Sequence, residues 1–546
     1  MQDGTVRRRT ALFTVSEYGE FSSLVEVATL VDQRLGLHPF FLFREDYGAL
    51  DAHSQILETK SFSWATASDP LTAFDARQEA GAWNDYVPTN VLRDGGKAGG
   101  AEPARKSRAA ATRGEHASAL LRLRLHAASS RLRGVLGLVR RSRPSRGGPR
   151  RRWSLKAHYR CIMRELGALF DAFDPAIVIS GQDYPLSITT LAAKVAADRG
   201  IATAIIPFSM TPTTKEIAES FFGARVNELR SKPLLRAAER VAPHWLHRYR
   251  GRTYTRLPLA EALASDALGL TPPQPWTPNS GRGIVFAPSR QGYDYCVSAG
   301  IAESQLRLAG ALWGDRIGKL AGSLSQRREE LLREVMIFEN FARNVARGTR
   351  GPKHVNSILS DPVSDDVRLL VFSWPPDQAP RRPTGFSDFV ALSDALIEML
   401  LSLALAAPVK VVVSLHPTLV GGPIDASLRR AGLYVADRPL FEIIDCADIF
   451  CATVSSTLLW ALHCGIPAVN FDIYRYGYAE FRSAGMCEAT TLPQLRSEFF
   501  RLIGDPGYRE SVSKAMLATR DYWTMSDGRS RERIIALLSG LMRAED

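Results

Sequence analysis

Short apolar runs alternate with amphipathic stretches along most of the chain, and this alternation predicts a parallel α/β fold. Near the N-terminus, residues 11–15 and 39–43 are apolar runs, and residues 22–35 between them carry apolar side chains at helical spacing. Runs of this length are typical of buried strands, whereas spacings of three and four residues are typical of helices. Because a strand–helix–strand unit joins parallel strands, we expect a parallel sheet here.

The pattern occurs in two parts of the chain, which predicts two domains. The first part adds apolar runs at 176–180, 201–207 and 283–288, a short strand at 306–313, helices at 156–173 and 186–199, and a basic helical region up to about residue 270. The second part has strands at 367–372, 449–454 and 467–471, a strand that starts at 411, and helices at 386–406 and within 492–541. We therefore predict an α/β protein with two facing Rossmann-like domains, residues 1–316 and 361–546, joined by a helical connector at 317–360.

A strongly basic segment, residues 95–152, interrupts the first domain. It contains 16 Lys or Arg and two acids, so its formal charge is +14. The whole chain has a formal charge of +12, so the remainder of the chain is near −2. Its flanks predict disorder, and the leucines among the arginines of residues 117–139 favour an amphipathic helix. Such a segment suits an anionic membrane surface, and a solvated insert is the alternative. Because the segment has no Phe, Trp or Tyr, nucleic-acid binding by base stacking is disfavoured.

The remaining composition is that of a soluble protein, with 45% hydrophobic and 23% charged residues. The most apolar stretch, residues 395–415, contains Glu398, Pro408 and Lys410, which predicts a helix followed by a strand and not a membrane span. The apolar run after the basic N-terminus is too short for a signal peptide, so we expect a cytoplasmic location. The six cysteines form no CxxC pair, which favours buried free thiols over metal ligands or disulfides.

Candidate chemistry is concentrated in residues 411–472. One β-rich run ends at His416 and Pro417, and another ends at Ser455, Ser456 and Thr457, directly before a helical pattern that stops at Gly465. Ligands of parallel sheets bind at the carboxyl ends of strands, and a helix start offers N–H groups to anions. Three consecutive hydroxyls exceed what an N-cap requires. The sequence therefore predicts a phosphate site at His416, Ser455, Ser456 and Thr457.

These residues, together with the run Ala461–Pro467, resemble the C-terminal half of GT-B-fold bacterial glycosyltransferases of capsule and lipopolysaccharide synthesis. The related non-hydrolysing UDP-N-acetylglucosamine 2-epimerases are similar in the same way. The run Ala461–Pro467 is similar to the family's turn of alanine, three residues, glycine, one residue and proline. Residues 179–183 and 201–207 extend the resemblance to the N-terminal half. The resemblance implies that His416 and the three hydroxyl residues contact the phosphate of a nucleotide sugar, with no cofactor or metal required.

The resemblance also implies a carboxylate general base in the N-terminal domain, since the acceptor hydroxyl loses a proton as the sugar–phosphate bond breaks. Glu17, Asp46 and Asp183 lie at predicted strand ends and are the candidates. Candidate contacts with the sugar or the nucleoside are Glu442, Asp472, Tyr474 and Arg475.

Three functions follow from these observations. The leading one is transfer of a sugar from a nucleotide-sugar donor to a growing surface polysaccharide or glycolipid, by an enzyme in the cytoplasm or on the inner membrane face. The second is a nucleotide-sugar 2-epimerase-like activity, although the Ser-Ser-Thr helix start and the run 472–478 depart from the epimerase pattern. The third is a non-enzymatic binding protein that acts through residues 95–152.

Overall fold

Two parallel β-sheets form the centres of two α/β domains in the computed structural model. The described residues are 9–16, 18–43, 50–66, 153–210, 212–221, 227–346, 367–378, 381–416, 419–478, 480–525 and 527–543. The basic segment 95–152 therefore lies outside the described residues. Within them, the structure confirms the expected α/β class with two Rossmann-like domains.

The N-terminal domain is built on a parallel sheet of seven strands. In chain order, the strands of this part are β1 (Thr10–Val15), β2 (His38–Phe43), β3 (Ser63–Thr66), β4 (Pro175–Ser180), β5 (Thr203–Ile205), the separate antiparallel pair β6 (Leu246–Tyr249) and β7 (Arg252–Thr255), β8 (Ile284–Ala287) and β9 (Leu306–Leu308). The sheet order is β3-β2-β1-β4-β5-β8-β9. β1 and β4 are buried along their whole length, as expected for central strands that helices cover on both faces.

Helices flank both faces of this sheet. They are α1 (Tyr18–Leu35), α2 (Leu50–Thr59), α3 (Trp153–Phe173), α4 (Ile188–Ala197), α5 (Thr214–Phe221), α6 (Lys232–Val241), α7 (Leu259–Ala267), α8 (Arg290–Ser298) and α9 (Leu312–Leu320), with single 3₁₀ turns at Pro243–Trp245, Glu303–Gln305 and Ala321–Ser323. Side chains of β1 alternate between the two faces, so that Phe13 packs in one core layer with α1 and Leu12 packs in the other with α3 and α4.

Three sequence predictions in this domain were wrong in detail. The basic region up to residue 270 is not one helical stretch, because β6 and β7 form a hairpin between α6 and α7. The helix expected at 186–199 spans only Ile188–Ala197, where the side chain of Ser187 caps it by accepting the N–H of Thr190. The strand expected at 306–313 ends at Leu308, and α9 begins at Leu312.

The C-terminal domain is built on a six-stranded parallel sheet. Its strands are β10 (Arg368–Ser373), β11 (Val409–Ser414), β12 (Tyr434–Val435), β13 (Ile449–Ala452), β14 (Ala468–Phe471) and β15 (Cys487–Ala489), in the sheet order β12-β11-β10-β13-β14-β15. The helices are α10 (Leu324–Ala346), α11 (Phe389–Ala406), α12 (Pro423–Ala431), α13 (Leu440–Ile443), α14 (Leu458–Cys464), α15 (Glu480–Ser483), α16 (Leu492–Gly504), α17 (Pro506–Thr524) and α18 (Ser530–Arg543), with a 3₁₀ turn at Ile444–Cys446. The four predicted strands are confirmed within about two residues.

The apolar stretch around residue 400 is a helix followed by a strand, as expected. By length and apolar composition, α11 is the one helix of the described residues that could cross a membrane, with a mean hydropathy of 1.9. Its side chains Leu392, Leu396 and Leu400 are fully buried in the C-terminal core.

Two helices, α10 and α18, link the two domains. α10, in the predicted connector, buries Leu331 and Val335 in the core of the C-terminal domain. α18, at the end of the chain, instead packs on α1 and buries Ile534 and Leu538 in the core of the N-terminal domain. The Asp315 carboxylate of α9 fixes the start of α18 by accepting the N–H groups of Ser530 at 3.3 Å and Arg531 at 2.9 Å.

Candidate functional site

The carboxyl edges of the two sheets face each other. At this edge, segments that follow strand ends make contacts between the domains. On the N-terminal side, α5 follows β5; on the C-terminal side, Arg381 follows β10 and Tyr478 follows β14. The Arg381 guanidinium donates to the Glu219 carboxylate of α5 at 2.9 Å, and the Tyr478 hydroxyl donates to the Glu216 carbonyl at 3.4 Å. Because ligands of open parallel sheets bind at this edge, the cleft between the sheets is the candidate site.

The four residues predicted to bind phosphate lie on this edge of the C-terminal sheet. His416 follows the end of β11, and Ser455–Thr457 follow the end of β13. β10 lies between these two strands, so the two ends are two strand spacings, about 10 Å, apart. A ligand that touches both would have to span the end of β10. A diphosphate or a phosphate with its sugar has this reach.

A strained turn presents the hydroxyl residues. Val454 has a φ of +46°, which is unfavourable for a β-branched side chain. The side chain of Asn470, buried in β14, stabilises the turn by accepting the N–H of Val454 at 3.1 Å. Strain of this kind costs on the order of 1–3 kcal/mol and is concentrated at functional sites. The turn is therefore a second observation, beside the hydroxyls, that favours this segment as a candidate site.

The hydroxyls themselves are half-buried at the start of α14. Ser455 Oγ accepts the N–H of Thr457 at 3.3 Å and lies 2.9 Å from its hydroxyl. The N–H groups of Leu458, Leu459 and Trp460 donate to carbonyls three residues earlier, so they are already bonded. α14 has only seven residues and few aligned peptide dipoles, which leaves the hydroxyls as the main donors of this segment.

His416 has an exposed side chain, and its partial desolvation lowers its pKa below the ordinary value. The imidazole is therefore neutral at pH 7 and acts as a hydrogen-bond donor through one ring nitrogen. The carbonyl of His416 accepts the N–H of Leu419 at 2.8 Å, which turns the chain back after the strand. Pro417, which follows it, lies outside the described residues.

A small recess, with room for about one water molecule, lies in the cleft beside α14. Aromatic and small polar side chains from both domains line it: Ser209, Met210, Pro288, Ser289, Gln291, Gly292, Trp313, Leu459 and Trp523. Leu459 lies two residues after Thr457, so the recess adjoins the hydroxyl residues.

The predicted sugar or nucleoside contacts are mostly engaged within the protein. Asp472 is buried and accepts the N–H groups of Tyr476 at 2.8 Å and Gly477 at 2.6 Å, which fixes the loop after β14. The buried Tyr474 donates its hydroxyl to the Pro376 carbonyl at 2.8 Å. Arg475 is exposed with a φ of +55°. Glu442 lies at the start of α13, where its carbonyl accepts from Arg327 at 2.6 Å.

Of the three candidate bases, only Asp183 is among the described residues, since Glu17 and Asp46 lie outside them. Asp183 is 7% exposed, and its carboxylate accepts the Thr190 hydroxyl at 2.6 Å. The side chain of Asn279 accepts its N–H at 2.8 Å, and Gly281 covers the carboxylate closely. Burial raises the pKa of Asp183, while the Thr190 bond opposes the rise. Asp183 thus ties its loop to α4 through the carboxylate and to Asn279 through the backbone N–H. Its role as a base stays a prediction.

Charged contacts between the domains were not predicted from the sequence. Glu219 is 1% exposed and accepts from Tyr249 and from Arg250 of the hairpin, in addition to Arg381. Arg381 also lies over the Tyr476 ring, 4.2 Å from its centroid. A sequence signal existed only for Glu216, since Thr213-x-x-Glu216 is a capping-box pattern.

Metal and disulfide chemistry have no support in the described part of the chain. No group of three His, Cys, Asp or Glu residues that could hold a metal occurs in it. Its five cysteines are free; three of them, Cys296, Cys446 and Cys451, are buried. Burial raises the pKa of the Cys296 thiol to about 11 and that of Cys446 to about 12.

The whole chain is similar in shape to several solved structures at low sequence identity. UDP-GlcNAc 2-epimerase from Neisseria meningitidis, bound to UDP-GlcNAc, is 11% identical with a TM-score of 0.47, over 97% of this chain and 100% of that one. Alr3699/HepE from Anabaena, in complex with UDP and glucose, is 10% identical with a TM-score of 0.42, over 98% and 100%. A glycosyltransferase from Rickettsia africae is 8% identical with a TM-score of 0.43, over 98% and 99%. Neither a protein-family model nor a curated protein matches the chain.

Proposed function

We propose that this protein is a glycosyltransferase that transfers a sugar from a nucleotide-sugar donor to a surface polysaccharide or glycolipid. The observation that carries the proposal is the strained Val454 turn, which presents Ser455, Ser456 and Thr457 to a cleft between two sheet edges. Donors held in place before the reaction are suited to stabilising charge that develops on a departing phosphate. His416, at the same edge, adds a neutral donor.

The two substrates bind on opposite sides of the cleft. The phosphate donors belong to the C-terminal domain, so the nucleotide sugar binds there, and the N-terminal domain offers the surface for the acceptor. Transfer breaks the bond between the sugar and the phosphate, and the acceptor hydroxyl gives its proton to a base on the N-terminal side. Enclosure of the cleft between two domains keeps water away from the donor.

A thermal-shift panel with CMP, CDP, UDP and GDP tests whether the cleft holds a nucleotide. We expect one of them to raise the melting temperature at millimolar concentration, because a ligand that binds only the folded state stabilises it. If none of the four does so, both nucleotide-sugar proposals fail. Ser455→Ala and His416→Ala should each weaken the binding, whereas Ser511→Ala, an exposed serine on α17, should not.

An epimerase-like activity is the second candidate, because an epimerase also needs a clamp for the nucleotide phosphate. The two activities differ in their products. Transfer consumes an acceptor and releases the nucleotide, whereas epimerisation returns an isomeric sugar on the same nucleotide without an acceptor. Product analysis with the nucleotide sugar that matches the thermal-shift result separates them.

The third candidate is a binding protein that acts through residues 95–152. This candidate can be tested without knowledge of the substrate. Deletion of this segment should leave nucleotide binding intact if the site lies at 411–472. Loss of nucleotide binding on deletion would place the site in the basic segment instead. Flotation with anionic vesicles, compared for the full chain and the deletion, measures the predicted membrane attachment.

A further inference from the structure

Two carboxyl groups meet at the contact between the domains. Glu216 is 2% exposed on α5 of the N-terminal domain, and Glu480 begins α15 of the C-terminal domain. Glu480 lies near Glu216, and its charge helps to raise the pKa of Glu216. The Tyr478 hydroxyl, two residues before Glu480, contacts the Glu216 carbonyl at 3.4 Å. The pair therefore belongs to the surface that the domains share.

One oxygen of Glu216 has no donor. Its Oε2 accepts the N–H of Thr213 at 2.7 Å, and its N–H donates to the Thr213 hydroxyl at 3.2 Å, which together form a capping box. Its Oε1 is buried and has no hydrogen-bond partner within the described ranges. A buried carboxylate oxygen that faces another carboxylate is costly unless a proton lies between them.

We propose that Glu216 and Glu480 share one proton when the domains are closed, and that loss of this proton opens the cleft. Glu216 Oε1 is the protonated atom, since Oε2 keeps its bond to Thr213 in either state. The shared proton makes a carboxyl–carboxylate hydrogen bond across the domains. Without it, two negative charges oppose each other at a buried contact, and separation of the domains relieves them.

The pH range follows from the difference between the closed and the open protein. Burial raises the pKa of Glu216 from an ordinary 4.5 to about 7; the Thr213 N–H opposes the rise, and the charge of Glu480 adds to it. Opening exposes the carboxyl to water, so its pKa falls back toward the ordinary value. The closed protein then holds one more proton than the open protein between these values. Closing is therefore favoured near pH 5, loses its advantage as the pH rises to about 7, and changes little above that.

The other charged and titratable groups around Glu216 do not give the same response. Tyr478 contacts it from the loop after β14, and Tyr476 lies in the same loop; burial raises the pKa of both phenols further above neutrality. Asp472 in that loop is buried and bonded to two N–H groups. Arg381 and Glu219, one helical turn further on, form an ion pair that holds the domains together. Opening with rising pH thus points to the Glu216–Glu480 pair.

Hydrogen exchange of the full chain without nucleotide tests the proposal. Peptides that cover residues 214–221 and 472–478 are compared at pH 5.5 and 7.5, after correction for the pH dependence of intrinsic exchange. We expect protection of both to fall at least about tenfold at pH 7.5, because the closed protein releases its extra proton between these two pH values. Small-angle scattering should show a larger radius of gyration at pH 7.5.

Variants decide whether the pair is the cause. In Glu480→Gln the amide donates to Glu216 at every pH, so both peptides should stay protected at pH 7.5. Glu216→Gln should behave in the same way and provides a second variant if the first fails to fold. Glu398→Gln, an exposed residue on α11, should keep the full response. Equal protection of the wild type at both pH values, or a tenfold response in Glu480→Gln, would overturn the proposal whatever reaction the cleft performs.

Discussion

At the scale of single residues, buried polar groups hold the loops around the cleft. The Asp183 carboxylate lies beneath the 279–281 turn, and the Asn470 side chain supports the Val454 turn. Both act through one or two hydrogen bonds that are shielded from water. Removal of such a partner costs the full desolvation of the group left behind, so single substitutions here have large effects.

Asn470→Ala should lower the free energy of unfolding by about 1–3 kcal/mol, because the Val454 N–H loses its acceptor while the strain at φ +46° remains. Urea denaturation measures the change. The same variant should bind nucleotide more weakly than its stability loss explains, since the turn that presents Ser455 is no longer held by Asn470. Wild-type binding by a folded Asn470→Ala protein would contradict the role given to the turn.

Gly281→Ala should destabilise the protein severely, because a Cβ atom at this position would lie 1.7 Å from the Asp183 carboxylate. Overpacking of this kind costs about 1–3 kcal/mol or more. Gly318→Ala is the matched control: it lies on the exposed side of α9 with nothing within 4 Å, and it should stabilise the protein by about 0.5–1 kcal/mol. Thermal denaturation of both variants distinguishes the two effects.

At the scale of elements, the sequence predicted what local periodicity encodes. Long central strands such as β1, β4 and β10 are continuous apolar runs, so their positions followed from pattern alone. The β6–β7 hairpin did not, because its strands LHRY and RTYT mix charges with aromatic residues and its turn is Arg250-Gly251. Both turn residues have positive φ, but Arg-Gly is a weaker hairpin signal than Asn-Gly.

The site was predictable to the same extent. Strand ends with histidine and hydroxyls could be read from residues 411–472, since each lies directly after its strand. The partner of a side chain in the other domain could not, because Glu219 and Arg381 are 162 positions apart. No local pattern indicates which carboxylate a distant arginine meets.

Loss of the cap on α18 is a test at the scale of an element. Asp315→Ala removes the acceptor of the Ser530 and Arg531 N–H groups and should cost about 1–2 kcal/mol in the free energy of unfolding. Asp315→Asn keeps one acceptor oxygen and should cost less. Chemical denaturation of the two variants measures the difference; equal losses would show that the carboxylate acts by charge and not as a cap.

At the scale of the whole molecule, the relation between the domains depends on a few buried charges. Glu219 forms ion pairs with Arg381 of the C-terminal domain and with Arg250 of the N-terminal domain, and it is almost completely buried. A buried carboxylate of this kind is destabilising when its partner is lost. The Arg381–Glu219 ion pair therefore couples the unfolding of one domain to that of the other.

Arg381→Ala should uncouple the domains, with a loss of about 3–5 kcal/mol in the free energy of unfolding, reduced to the extent that Arg250 still pairs with Glu219. Scanning calorimetry should then resolve two transitions where the wild type shows one. Arg382→Ala changes the neighbouring exposed arginine and should leave the trace unchanged. A single transition at an unaltered temperature in Arg381→Ala would contradict the coupling.

The packing of α18 against α1 has a consequence for synthesis on the ribosome. Ile534 and Leu538 fill the core of the domain that is made first, yet they are translated after β15, the edge strand of the C-terminal sheet. The N-terminal domain therefore cannot complete its core, and keeps an uncovered apolar face beside Leu24 and Val27, until the C-terminal domain has been made. A nascent chain in this state is the form of the protein that a chaperone would meet.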